Sequence, residues 1–246
     1  MMHSLEKSIR DLISTISPAD ADRKACALNQ YCTSILEWNK KVNLTANRDE
    51  DTFFVRNVAD SLSALSISDV AGAAKVADVG SGGGFPGVPL AVCLPGTEFT
   101  LIDSIGKKLK IVNECASAAG IDNVSSVHAR AEDLGHDDAY REKFDVCVAR
   151  AVSELSVLCE YCLPLVRVGG LMIAYKSSDS ASEIDSASNA IRRLGGGAVE
   201  IIDGKSIPSY REHQDLSGHV LITIRKNRHT PSEYPRKAGT PKNHPL

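Results

Sequence analysis

The sequence predicts an α/β fold: a mostly parallel sheet of seven strands, preceded by a cap of helices. Three observations carry this reading. The apolar run Val76-Ala77-Asp78-Val79 breaks into Gly80-Ser81-Gly82-Gly83-Gly84-Phe85-Pro86-Gly87, the pattern of a buried strand, a tight turn and a helix start. From Lys75 onward, strand-like and helix-like stretches alternate, the signature of βαβ units. Before Lys75 the apolar stripes have helical spacing.

The first stripe is Leu5, Ile9, Leu12, Ile13 and Ile16. Ser17-Pro18 then reads as a helix start, with Ser17 as N-cap and Pro18 at the first helical position. Leu28, Tyr31, Cys32, Ile35 and Leu36 make the second stripe, and Phe53, Phe54, Val58, Leu62 and Leu65 the third. Arg56, on the third helix, either points to a ligand or is a solvated surface charge, and the second is the expectation. After the glycine turn, Phe99 to Ile102 is the second strand and ends at Asp103. A helix begins near Gly106 and stops at Gly120, a residue suited to a left-handed C-terminal cap. Val124 to His128, Phe144 to Ala149 and Leu171 to Tyr175 supply strands three to five. The fourth ends at Arg150, and the fifth is entered through Gly169-Gly170 and left at Lys176. A polar helix from Asp179 to Leu194, a triple-glycine turn and strands Val199 to Ile202 and Val220 to Arg225 complete the sheet, with a polar loop from Pro208 to Ser217. These patterns divide the chain into a cap (residues 1–70), a core (71–226) and a basic tail (227–246), together one structural unit.

Composition bounds the function without choosing it. The chain has 246 residues, 43% hydrophobic and 24% charged, in the ordinary range for a globular protein. A net charge of −3 gives no global nucleic-acid signature, so any basic surface has to be local. No run has the ~18 apolar residues of a membrane span, and Met1 to Lys7 lacks the pattern of a signal peptide. Seven scattered cysteines read as reduced core thiols of a cytoplasmic protein. Cys159-x-x-Cys162 follows Leu155 and Leu158 on a helix and has no second ligand pair, so no metal is expected. From Arg225 to Leu246, six Lys and Arg residues face a single acid, Glu233, interleaved with Tyr, Pro and Gly. Such a tail suits an extended strap along a phosphate backbone, or else a frayed terminus.

The glycine turn carries the chemistry. Its glycines admit positive φ and close backbone approach, and the following helix start favours an anionic group. Gly82-x-Gly84-x-x-Gly87 fits a dinucleotide fingerprint, which would make the protein a nicotinamide-dependent oxidoreductase. Asp78-x-Gly80-x-Gly82-x-Gly84 instead fits the first motif of S-adenosylmethionine (SAM) methyltransferases, and a glycine turn that merely packs a helix onto the sheet is the third reading. Asp103, about 20 residues on, is placed to accept from ribose hydroxyls or to cap the helix near Gly106. His128, inside an apolar strand end, is expected to be structural. Ligands of open parallel sheets bind beyond the carboxyl ends of strands, so Gly80, Asp103, Ala131, Glu132, Arg150 and Lys176 gather on one rim. Strand four ends in Ala149-Arg150-Ala151-Val152, without the Asn/Asp-Pro-Pro-aromatic element of amine methyltransferases. A cation at that rim suits transfer to a ring nitrogen with its own lone pair, which requires no base.

Asp78 to Leu90 resembles the signature of the glucose-inhibited division protein B family, bacterial 16S rRNA guanine-N7 methyltransferases. The likeness continues through Trp38-Asn39-Lys40-Lys41-Val42-Asn43-Leu44-Thr45, Asp103 to Lys108, Arg130 to Leu134, Ala149 to Val152 and the tail Tyr234 to Pro241, covering nearly the whole chain in order. It implies a Rossmann-like class I SAM-dependent methyltransferase fold, SAM as cofactor, and a guanine in the 530 loop of 16S rRNA as acceptor. Matched position by position, it implies that Gly80 and Phe85 line the methionine and adenosine end; Gly82, in the same turn, is also expected at the cofactor. By the same match Ala131-Glu132 holds the adenine and Arg150 closes the site, where it is expected to position the reactants; Asp103, from its place after the glycine turn, is expected at the ribose. Lys176, Arg228, Arg236, Lys237 and Lys242 are the expected RNA contacts. The expected setting is a cytoplasmic monomer acting on RNA within the 30S subunit or an assembly intermediate, with no membrane partner. A non-catalytic RNA-binding protein using the same tail is the remaining alternative. Asn57 stands where many members have His, and Ser177 where Gly commonly follows the strand-five Lys.

Overall fold

The computed structural model describes residues 4–150, 153–211, 216 and 218–246. Ala151 and Val152 of the strand-four motif and part of the polar loop before Gly218 lie outside them. The cap opens with α1 (Leu5–Ile16), whose N-cap Ser4 accepts from the Lys7 amide. Helix α2 (Ala21–Asn39) starts later than Ser17-Pro18 suggested, at Asp20 in a left-handed conformation. Ser17 instead closes α1, its amide donating to the Ile13 carbonyl, and its hydroxyl accepts from Lys24 Nζ. The third stripe is a continuous helical run: α3 (Glu50–Phe53), a π-helical turn (Phe54–Ala59), α4 (Asp60–Leu62) and a 3₁₀ turn (Ser63–Ser66). A π turn inserts one extra residue and rotates the helix face, a feature frequent at functional sites. Helix α5 (Ser68–Ala71) leads into the sheet.

The seven strands are β1 (Lys75–Val79), β2 (Glu98–Asp103), β3 (Val124–His128), β4 (Phe144–Arg150), β5 (Val166–Ser177), β6 (Gly196–Asp203) and β7 (His219–Lys226). Their order is β3-β2-β1-β4-β5-β7-β6, and only β7 runs against its neighbours. Strand β5 begins five residues before Leu171, because Gly169 (φ +84°) absorbs an irregularity in the β4 pairing instead of ending the strand. The triple glycine likewise opens β6, paired through Gly196 to Lys226. The polar helix becomes regular only at Glu183, after a 3₁₀ turn.

Alternation along the strands divides the core. Val76, Leu101, Val146, Val148 and Ile173 face the cap, α6 (Gly87–Cys93) and α7 (Gly106–Ala118). Ala77, Val79, Cys147, Ala149 and Met172 face the other layer. That layer is α8 (Ala131–Leu134), α9 (Leu155–Cys162) and α10 (Glu183–Arg193), with Cys159 and Cys162 fully buried in it. Of the seven thiols only Cys26 is exposed, against the expectation that all are core residues. Tyr31 and Phe53 stack edge-on against Phe85 at 5.9 and 5.5 Å, which ties the cap to the glycine turn.

The basic tail is not a detached strap. Lys226 is fully buried and donates to Glu142, the Leu163 carbonyl and Thr230. Arg141 donates to the Thr230 and Tyr234 carbonyls, Tyr234 is buried, and Arg236 forms a forked pair with Glu160, itself 1% exposed. The reason is that three acids of the core take donors from the tail: Glu160 the Arg236 guanidinium, Glu142 the Thr230 amide and Glu132 the Gly239 amide.

Candidate functional site: two cavities across a glycine turn

The site is built on the carboxyl ends of β1, β2, β4 and β5. Register fixes the rim: Val79 pairs with Ile102 on one side and Ala149 on the other, and Arg150 pairs with Tyr175. The Gly80 and Ser81 amides donate to the Ile102 carbonyl at 2.8 and 3.1 Å, folding the turn back over β2. Gly82 (φ +55°) and Gly84 (φ +84°) need the left-handed region that glycine tolerates. At Gly87 an added Cβ would lie 2.4 Å from Leu101 and 2.8 Å from Asp78 Oδ2, which accepts from the Gly87 amide. Burial pushes the Asp78 carboxyl up to about 7, against the Gly87 hydrogen bond and the Arg150 charge.

A cavity lies on each side of this turn. The smaller, about 360 Å³, is lined by Asp103, Ala131, Glu132, Lys108, Tyr161 and Lys242, with Gly80 and Gly82 as its wall. The larger, about 550 Å³, holds Phe85, Arg150, Lys176, Arg56, Asn57 and His219, again with Gly80 and Gly82. Backbone without side chains is therefore what lies between them. A ligand in the smaller cavity can present a group to the larger one across that turn, an arrangement that fits SAM.

The expected site residues divide between the cavities. Gly80 and Gly82 belong to both; Asp103, Ala131 and Glu132 line the smaller; Phe85, Arg150 and Lys176 line the larger. Asp103 accepts from the Gly82 amide (2.9 Å) and the Ile105 amide (2.8 Å), so it already braces the turn and the entry to α7. Glu132 Oε1 accepts from the Gly239 amide of the tail. Lys242, expected at RNA, lines the smaller cavity instead. Arg228 and Lys237 are exposed and line neither, while Arg236 is committed to Glu160. Lys176 donates to Glu183 at 2.6 Å and to the Ser153 carbonyl. Burial works to raise Glu183, but the hydrogen bonds from Lys176 and the Leu155 amide outweigh it and hold this carboxyl low. His128 bonds the Ser104 carbonyl at 3.1 Å.

Arg150 reaches back under the cap. One of its terminal nitrogens donates to the Arg56 carbonyl (2.8 Å), Asp60 Oδ2 (3.0 Å) and Ser61 Oγ (3.3 Å); the other donates to Asn57 Oδ1 (3.3 Å). Its guanidinium also lies 5.8 Å from the Phe85 ring centre. Asn57 is buried, and its Nδ2 has no partner among the described residues. Ser177 bonds Ser180, also on the wall of the larger cavity.

The residues that sequence reasoning missed are Arg56, Asp60 and His219. Arg56 is half-buried on the larger cavity, not a solvated charge, because the π turn aims it inward. Asp60 is 2% exposed, paired through one oxygen with Arg150 and through the other with His219 Nδ1 at 3.1 Å. The four-residue spacing of Arg56 and Asp60 was a readable signal. His219 comes to the site only through the antiparallel placement of β7 beside β5.

Among solved structures, the fold is similar to an O-methyltransferase from Bacillus cereus in complex with SAH. That likeness has TM-score 0.55 and 17% identity, covering 80% of this chain and 90% of that one. It is also similar to a SAM-dependent O-methyltransferase from Thermotoga maritima, with TM-score 0.52 and 12% identity, covering 80% and 73%. Both show the class I methyltransferase fold alone. Ribosomal RNA small subunit methyltransferase G of Alkaliphilus oremlandii is 43% identical over 92% of each chain, and that of Staphylococcus saprophyticus 39% over 92% of each. The family model for rRNA small subunit methyltransferase G matches residues 24–206. With its glycine turn, rim acids and paired cavities in place, the chain belongs to the rRNA small subunit methyltransferase G family.

Proposed function

We propose that this protein transfers a methyl group from SAM to N7 of a guanine in 16S rRNA. The proposed setting is a cytoplasmic monomer acting on RNA in the 30S subunit or an assembly intermediate. The observation that carries this reading is the pair of cavities meeting across Gly80 and Gly82. Among the described residues no helix is long and apolar enough to cross a membrane.

Gly80, Gly82, Asp103, Ala131 and Glu132 would hold SAM, which when bound supplies an electrophilic methyl on its sulfonium. The carboxylates of Asp103 and Glu132 suit ribose hydroxyls and an adenine amine, as acceptors for donors. Phe85 and Arg150 stand on the opposite side of the turn, over the space left for the base. Guanine N7 carries a lone pair and no proton, so the pocket has none to remove. The side chains present agree with this. Tyr175 donates its hydroxyl to the Ser61 carbonyl at 2.7 Å, and burial raises its pKa far above normal. The two ring nitrogens of His219 face Asp60 and Arg56. Alignment and electrostatics then supply the catalysis.

The test incubates pure protein with SAM and either naked 16S RNA or 30S subunits, and maps the modified base by mass spectrometry and primer extension. One N7-methylated guanine is expected. Methyl transfer to another atom or to no RNA overturns the reading, and so does binding of a nicotinamide cofactor in place of SAM.

A further inference from the structure

Among the described residues three cations, Arg56, Arg150 and Lys176, face the larger cavity, and two are already spoken for. Arg150 is paired with Asp60, and Lys176 with Glu183. Arg56 has no carboxylate partner among the described residues; its Nη1 lies 2.6 Å from His219 Nε2. The geometry fixes the roles in that contact. A guanidinium has only donors, so Nε2 must accept, and the ring hydrogen sits on Nδ1, where it donates to Asp60 Oδ1 at 3.1 Å. His219 thus holds Arg56 by an uncharged acceptor, which orients the guanidinium while no carboxylate among the described residues pairs with it. The backbone is held as well, since the Arg56 carbonyl accepts from Arg150.

We propose that Arg56 binds a phosphodiester of the acceptor RNA at the mouth of this cavity, and that His219, anchored by Asp60, is its positioning residue. The inference rests on the reading above that this cavity receives the guanine. A phosphate is the fitting ligand because the guanidinium fork matches its paired oxygens. The guanine edge is the poorer one: a cation placed on the O6 and N7 side would compete for the reacting lone pair and oppose the positive charge of the product ring.

The experiment measures RNA binding by fluorescence anisotropy across a salt series, SAM binding by calorimetry, and methylation kinetics, all on the full chain with transcribed 16S RNA. Arg56→Gln is expected to raise Kd and KM for RNA about tenfold or more with a smaller change in kcat. Its log–log salt slope should flatten by about 0.7–0.9, one phosphate's worth, and SAM affinity should be unchanged. Arg56→Lys should keep the salt slope yet raise KM, since the fork is lost. The His219 variants read the positioning role. His219→Gln can place an acceptor oxygen near the Nε2 position and should recover most of the RNA affinity. His219→Asn keeps only the Asp60 side and should resemble Arg56→Gln. If Arg56→Gln binds RNA with the wild-type salt slope, or loses SAM affinity instead, the phosphate site is wrong. Equal effects of His219→Gln and His219→Asn would overturn the positioning role. Wild-type methylation in the same assay tests the guanine-N7 reading separately, and a variant that fails to fold in thermal melts is replaced by Arg56→Lys, whose unchanged KM overturns the site.

Discussion

Asp103 at the end of β2 accepts a hydrogen bond from the Gly82 amide at 2.9 Å, which makes the ribose-side carboxylate and the glycine turn one mechanical unit. Its second oxygen takes the Ile105 amide. Asp103→Ala therefore removes a candidate ribose acceptor and also releases the turn that forms the wall between the cavities. SAM binding should weaken by at least ~1.5–3 kcal/mol, the range for a hydrogen bond to a charged group. Calorimetry on the folded variant checks this, and unchanged affinity would move the ribose site elsewhere.

Gly84 is the position where the turn has least room. It holds φ +84°, and a Cβ there would come 2.1 Å from Tyr31 Oη and 2.9 Å from Val88. Tyr31 is fully buried and its hydroxyl donates to the Gly83 carbonyl at 2.6 Å, so it has nowhere to retreat. Gly84→Ala should cost ~2–4 kcal/mol in urea unfolding, from strain at positive φ plus overpacking. Gly84→Ala combined with Tyr31→Phe should recover part of that loss.

Much of this was legible in the sequence because it depends on local periodicity. Strand alternation puts Arg150 on the same face as Val146 and Val148, hence under the cap, and the glycine spacing places Gly80 and Gly82 on the rim. What escaped depends on long-range pairing. Arg56 looked solvated because nothing near it in sequence shows the π turn or His219, 163 residues away. The tail looked detached because nothing near Glu142 and Glu160 in sequence shows that they hold it, and Glu132 reads as a cofactor residue, not as an acceptor for the tail's Gly239 amide.

The tail's charge pairs make a stability prediction. Arg236→Ala leaves Glu160 buried without its guanidinium, and breaking a buried pair from one side costs ~3–5 kcal/mol. Arg236 is partly exposed, so the lower end is expected. Truncation after Arg225 should be worse, since it also removes Lys226 and Thr230, the donors to Glu142, and leaves that carboxylate and the Leu163 carbonyl without them. A shortened chain that melts like the full one would mean that the tail is the detached strap that its composition suggested.

Asp78 gives a pH dependence with a definite sign. Its carboxyl is fully buried; one oxygen accepts from the Gly87 amide at 2.8 Å, and the other has no partner among the described residues. Burial raises it from 3.8 to about 7 in the folded protein. The folded state therefore binds this proton more tightly than the unfolded chain does, and stability from this group is fully present below pH 3.8. It is lost as pH rises through about 7, where the folded protein is forced to bury a charge. Asp78→Asn keeps the shape and the Gly87 acceptor but has no charge to bury. The variant should gain on the wild type between pH ~4 and ~7, and by pH 8 the relative gain should reach ~2–4 kcal/mol, an order-of-magnitude figure. Urea unfolding midpoints at pH 5 and pH 8 check it. A difference between the two proteins that does not change with pH would show that Asp78 is ionised throughout and finds a donor that the described residues do not supply.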